Sequence, residues 1–146
     1  AEVALGNVVR ALSAADGPDG RPLVRSAHDL SNGGLVQSLV DSALRFGIGG
    51  TFDVASAARR DCVGDHEMLL SESQARAFVA VPETALKAVF AAAEAEGVDA
   101  VRIGTTGGDM LAISGVDLLA AEGEGCGWIA SIDELRELSD TGRKYF

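Results

Sequence analysis

Cysteine, proline and aromatic side chains are scarce in these 146 residues, which hold two Cys, three Pro, one Trp, one Tyr and five Phe. Cys62 and Cys126 stand far apart, with neither a CxxC pair nor a His at ligand spacing. That excludes a disulfide framework and leaves no structural zinc site. Two lone thiols fit a reducing compartment, so the expected location is cytoplasmic. Positive charge is also short: 12 Lys and Arg face 22 Asp and Glu, for a net charge of −10. No basic patch offsets this. A surface of that sign repels phosphate backbones and anionic lipid, so neither nucleic acid nor a membrane is an expected partner. Long apolar runs are missing as well, because the best stretch, Ala75 to Ala95, is interrupted by Pro82, Glu83 and Lys87. The chain opens at Ala1 without the basic and apolar regions of a signal peptide, and a fragment of a longer chain is the expectation.

What is present is small and aliphatic. Hydrophobic residues make up 47% and charged residues 23%, ordinary for a globular chain, so disorder and fibrous repeats are poor readings. With 24 Ala and 18 Gly, elements must approach closely and stability must come from aliphatic burial. The length suits one domain spanning 1–146, with 139–146 expected as a loose tail. Acid concentrates late: residues 1–60 carry six basic and six acidic side chains, whereas 61–146 carry six and sixteen.

Hydrophobic spacing predicts a helix over residues 2–15, a strand over 23–27 and a helix over 35–46 stopped by Gly47. A strand over 48–54 follows, then a polar connection over 55–63 and a short apolar element at 68–70. A β-like run over 77–81 leads to Pro82, which opens a helix reaching about Glu96 and stopped by Gly97. Strands over 98–104 and 110–114 read as a hairpin joined by Thr105-Thr106-Gly107-Gly108-Asp109. A short strand at 116–119 and a last helix from the Ser131 cap through Leu138, with Glu134 in capping-box position, complete the order. The expected class is α/β or α+β, a mixed sheet with helices packed on one face.

Two constellations could carry chemistry. His28-Asp29-x-Ser31-x-Gly33-Gly34 lies at a strand-to-helix junction, where paired glycines allow close backbone approach and the helix N-terminus favours phosphate or carboxylate. Neither a P-loop Lys-Ser/Thr nor a Gly-x-Gly-x-x-Gly is present. The plainer alternative is a tight turn with Asp29 or Ser31 capping the helix and His28 hydrogen-bonded in the core. Glu72-Ser73-Gln74 and Arg76, following Ser71, offer hydroxyls, a carboxylate and a guanidinium to an anion or a ligand amide. Here the alternative is a capping Ser beside a surface Glu–Arg pair. Asp61, Cys62, Asp65, His66 and Glu67 gather on the polar connection, but without fixed metal-ligand spacing they read as a solvated loop, and no metal is assigned. His28 and His66 are the only imidazoles, so no catalytic residue is assigned either.

Taken in order, Ser26-Ala27-His28-Asp29-Leu30-Ser31-Asn32-Gly33-Gly34-Leu35, then Leu70-Ser71-Glu72-Ser73-Gln74-Ala75-Arg76, Ile103-Gly104 and Leu111-Ala112-Ile113 resemble one family. They look like the carboxy-terminal domain of the aminoimidazole-ribonucleotide synthetase superfamily, and within it the phosphoribosylformylglycinamidine synthases. The resemblance runs from about residue 2 to 135. It implies a ligase that uses ATP and magnesium to activate the formyl-amide oxygen of formylglycinamide ribonucleotide, then replaces it with ammonia from a glutaminase subunit in purine biosynthesis. It also implies amino-terminal synthetase domains that hold the magnesium carboxylates and the catalytic His, an isolated chain that is inactive, and a possible dimer of the fragment. Glu72-Ser73-Gln74 and His28 match positions that the resemblance implies touch substrate in the first half of an internal duplication whose second half this chain resembles, and with Asp29, Ser31, Gly33, Gly34 and Arg76 of the two constellations they are the candidate substrate or phosphate contacts. Asn32 replaces a usual acidic residue and Leu70 a frequent aromatic one. Selenophosphate synthetase, thiamine-phosphate kinase and hydrogenase-maturation proteins are the cousins within the superfamily. A catalytically silent binding module is the alternative from another class.

Overall fold

The computed structural model describes residues 1–61, 63–115 and 127–143, so Cys62, Cys126 and the strand expected at 116–119 lie outside the described residues. The chain divides into two compact units, Ala1–Ser31 with Glu72–Val101, and Asn32–Ser71 with Arg102–Phe146. Length alone does not anticipate this division. Each unit is closed by a segment that returns after a long excursion through the other.

In the first unit, α1 (Glu2–Ser13) buries Val8 and Leu12, which join Leu23 and Ala85 in a small core edged by Val24, Val81, Val89 and Ala92. β1 (Ser26–Asp29) pairs antiparallel with β3 (Ala77–Ala80), Ser26 opposite Ala80 and Asp29 opposite Ala77. The first strand thus begins three residues later than its apolar run implies, because pairing with β3 sets its bounds. Pro82 precedes a short 3-10 turn, Glu83–Ala85, and α5 (Leu86–Ala95) follows. The helix expected from Pro82 therefore opens in 3-10 geometry, since the extended backbone of Pro82 (ψ 146°) keeps it outside the helix. Gly97 (φ +65°) ends α5 as expected: its N–H donates to the Glu94 carbonyl at 3.0 Å, and that of Val98 to Ala93 at 2.8 Å.

The second unit holds α2 (Gly34–Phe46), β2 (Gly50–Asp53), α3 (Ala55–Asp61), α4 (Asp65–Leu70), β4 (Gly104–Thr106), β5 (Met110–Ser114), β6 (Gly127–Ser131) and α6 (Ile132–Arg143). Its four-stranded sheet runs in the order β4-β2-β5-β6, with β2 parallel to β5 and the other pairs antiparallel. Phe52, Leu111, Ile113 and Ala130 are buried on one face, while Thr51 and Ile129 on the other stay exposed. That is the alternation expected of a half-covered sheet. The mixed α/β class holds, with the strands divided between this sheet and the β1–β3 pair.

Four local expectations need correction. The polar connection over 55–63 is largely α3, an Ala-rich turn whose first N–H, from Ala55, donates to the Asp53 carboxylate at 3.0 Å. Of the stretch 61–67 read as a solvated loop, Asp61 ends α3 and residues 65–67 open α4, where the Glu67 carboxylate accepts the Gly64 N–H at 3.1 Å, while Val63 and Gly64 lie outside both helices. β4 and β5 do not form a hairpin, because β2 lies between them. The link from Gly107 to Asp109 bridges two strand spacings, about 10 Å, over the chain entering β2. Gly49 is held under it, donating to Gly108 at 2.9 Å and accepting from Gly107 at 2.8 Å. Residues 98–103, read as strand, lie outside any strand.

At the last helix the capping box is present. The Glu134 carboxylate accepts the N–H and hydroxyl of Ser131 at 2.7 and 2.8 Å, and the Ser131 hydroxyl accepts the Glu134 N–H at 3.2 Å. α6 then continues to Arg143, beyond the expected end at Leu138. The Ser131 N–H, then its hydroxyl, hold the Glu134 carboxyl below its ordinary 4.5. Since the folded value is the lower one, the cap contributes fully above the unfolded value and is lost as pH falls through the folded one. Amide protection in the first turn of α6 is expected to weaken between about pH 6 and about pH 3. Glu134→Gln should abolish that dependence, and protection equal at both pH values in the parent chain would show that an ionised Glu134 does not hold the helix start.

Candidate functional site

The two sequence constellations are brought side by side, in each unit by a separate contact. In the first unit, the β1–β3 ladder carries His28 to Phe78 and Asp29 to Ala77, and beyond the ladder the Leu30 N–H donates to the Arg76 carbonyl at 3.0 Å. The stretch 28–31 and the loop 72–76 therefore run alongside each other. In the second unit, Gly34 lies against the last turn of α4: a Cβ there would come within 2.6 Å of the Leu70 carbonyl carbon and 2.7 Å of the Leu69 oxygen. Only glycine admits that approach, and only glycine takes φ +67° without strain. The chain crosses between the units three times, and two of the crossings, Ser31–Asn32 and Ser71–Glu72, fall inside the two constellations.

His28 is not a core histidine. Its side chain is 30% exposed, and its ring stacks on Phe78 with centroids 5.7 Å apart and planes 14° apart. Nδ1 lies 2.6 Å from the Asp29 carbonyl oxygen and 3.6 Å from the Asp29 carboxylate. Phe78 escaped sequence reasoning. Its aromatic ring in a β-like run was the available signal, but its partner is set by strand pairing 50 residues away.

Neither Asp29 nor Ser31 caps α2. The capping position is Gly33, left-handed at φ +77°, with no side-chain cap, and both candidate caps are exposed. The α2 start is thus presented by two consecutive left-handed glycines, and its first-turn N–H groups point out of a 13-residue helix with the positive end of its dipole. Ser38 closes the first turn from inside by donating its hydroxyl to the Gly34 carbonyl at 2.9 Å.

In the second constellation Glu72, Ser73 and Gln74 are exposed and Arg76 is half-buried. Arg76 donates to the Ser73 hydroxyl at 3.4 Å, a long bond that turns the guanidinium back over its own loop. Between them Ala75 has φ +61°, the one left-handed residue among the described residues that is not glycine. Among the described residues no three His, Cys, Asp or Glu side chains converge on one point, so this part of the chain offers no carboxylate set that fits magnesium.

The profile of the AIR synthase related protein, C-terminal domain, matches residues 1–114. This chain belongs to that family. Among relatives of the AIR synthase C-terminal domain, the phosphoribosylformylglycinamidine synthase subunit PurL of Renibacterium salmoninarum is 39% identical over 125 residues, covering 85% of this chain and 15% of that protein. The subunit of the same name from Nocardioides sp. is 46% identical over 93 residues, 64% of this chain and 12% of that one. The chain therefore spans only a small part, 12% to 15%, of the relatives it matches. The solved structure of T. maritima PurL complexed with ATP shares the fold, with a TM-score of 0.60 at 16% identity over 77% of this chain and 19% of that one. No described helix is long and apolar enough to cross a membrane.

Proposed function

We propose that this AIR synthase C-terminal domain serves within a glutamine-dependent carbon–nitrogen ligase, the ATP-dependent amination of formylglycinamide ribonucleotide in purine biosynthesis. The observation that carries the reading is the 39% identity over 85% of the chain to a named synthase subunit, a match long enough to contain both constellations. Its partners are then amino-terminal synthetase domains of the same protein and a glutaminase subunit supplying ammonia, in the cytoplasm. ATP and magnesium are held mainly by those other domains, because the described residues offer no carboxylate cluster for a cation. The isolated chain, which can associate into a dimer once separated from those domains, neither hydrolyses ATP nor aminates substrate.

The chain's own residues bind and orient. The α2 start at Gly33-Gly34, with Ser31 and Asp29 on the approach to it, takes a phosphate through backbone amides. Glu72, Ser73, Gln74 and Arg76, with His28 beside them on β1, contact the hydroxyl and amide groups of a ribonucleotide. Titrating the chain with ATP and with formylglycinamide ribonucleotide, and following the amide resonances of Gly33, Gly34, Ser73 and Gln74, tests this. Saturable shifts confined to these loops are expected, with no ADP released in a coupled assay. Flat spectra would remove the ligand role, and substrate-dependent ADP formation would overturn the predicted inactivity.

A further inference from the structure

We infer that His28 acts as a neutral hydrogen-bond acceptor through Nε2, recognising a ligand hydroxyl or amide N–H and not a phosphate oxygen. The inference rests on the ligand role proposed above and assigns the chemistry of one contact within it. A carbonyl oxygen can only accept, so the 2.6 Å approach of Nδ1 to the Asp29 carbonyl places the ring proton on Nδ1. The Asp29 carboxylate, 3.6 Å from the same nitrogen, adds a second negative oxygen on that side. A neutral imidazole carries one ring proton, which leaves a lone pair on Nε2.

The ring's hydrogen-bonding contacts are at Nδ1, the side chain is 30% exposed, and among the described residues no buried side-chain nitrogen or oxygen lacks a partner, so Nε2 is not sealed in the protein. Stacking on Phe78 at 14° fixes the ring plane, so the acceptor is held in one direction. An unprotonated oxygen of a phosphate monoester would meet this nitrogen lone pair to lone pair, whereas a hydroxyl or an amide N–H would donate to it. The geometry thus separates His28 from the backbone amides at Gly33-Gly34: one contact accepts, the other donates.

The test uses the 146-residue chain at about pH 8. Long-range 1H–15N correlation of the His28 ring should show Nδ1 protonated and Nε2 unprotonated, and the opposite tautomer overturns the inference. Ribose 5-phosphate and methyl phosphate, a monoester that keeps no P–O–H at this pH, are then titrated separately. The Nε2 resonance should move with ribose 5-phosphate and stay fixed with methyl phosphate, and a response to methyl phosphate overturns the inference. If the Ser73 and Gln74 amides respond to ribose 5-phosphate while Nε2 is silent, the inference fails and the proposed function stands. Silence of both loops and ring toward each probe and toward ATP removes the proposed ligand role, and that of His28 with it.

Two variants add a check. His28→Gln sets an amide oxygen near the Nε2 position, and His28→Asn sets one near Nδ1. With both variants folded by thermal melting, Gln should hold ribose 5-phosphate affinity within about threefold and Asn should weaken it about tenfold. Equal losses would show that Nε2 accepts nothing from the ligand.

Discussion

Gly34→Ala is expected to destabilise the chain by about 2–5 kcal/mol, combining roughly 1–2 for a left-handed backbone with about 1–3 for overpacking. The backbone stands at φ +67°, and the added methyl would meet Leu69 and Leu70 main-chain atoms at 2.6 to 2.9 Å. Main chain cannot rotate aside as a flexible side chain can, so either α2 or the end of α4 must shift. Against a total stability of about 5–15 kcal/mol, such a loss leaves little margin. The same shift would move Leu70 and Ser71, which lead directly into Glu72, so any ligand response at Gly33 and Gly34 should disappear with the stability. A denaturant midpoint within a few per cent of the parent's would mean that the α2–α4 contact is looser than this.

The second large effect is expected at Gly49→Ala, for a different reason. No left-handed backbone is involved there; the methyl would overlap the Met110 carbonyl oxygen and lie 2.6 Å from its carbon. Gly49 passes beneath the link from β4 to β5, bonded to Gly107 and Gly108, so a methyl pushes directly on the arch that holds β2 between its neighbours. The expected loss is about 3 kcal/mol, the upper part of the overpacking range. Gly47→Ala provides the comparison. Gly47 has φ +64° but nothing within 4 Å of a Cβ, so only the backbone term of about 1–2 kcal/mol applies. Urea unfolding of the three variants should rank Gly47→Ala as the mildest. Gly49→Ala as mild as Gly47→Ala would deny the threading of β2.

Much of this was legible in local sequence, where the controlling physics is also local. Gly47 and Gly97 stop helices because a left-handed residue satisfies the last carbonyls, and the Ser131–Glu134 box starts one because both groups lie within a single turn. α3 was missed although its signal was present: an Ala-rich turn two residues after Asp53, hidden by the polar Arg59-Arg60-Asp61 end. Of the site, the residue types and their grouping into two constellations were readable, as was the need for glycine near 33 and 34. Which role each residue plays was not. Ser31 and Asp29 look like caps by spacing, yet the cap is Gly33, because the backbone turns left-handed before the helix begins.

Family membership and the helices α1, α2 and α6 with the strands β2 and β5 follow from the sequence by itself, since they rest on local residue patterns, whereas α3 and β6 were not read from it. The pairing of His28 with Phe78, the seat of Gly34 against Leu69 and Leu70, and the insertion of β2 between β4 and β5 come only from tertiary structure. Each of these joins segments tens of residues apart, and no periodicity encodes a partner at that distance. Backbone pairing and close packing select it once the chain has folded, and that selection also decides which nitrogen of His28 remains open to a ligand.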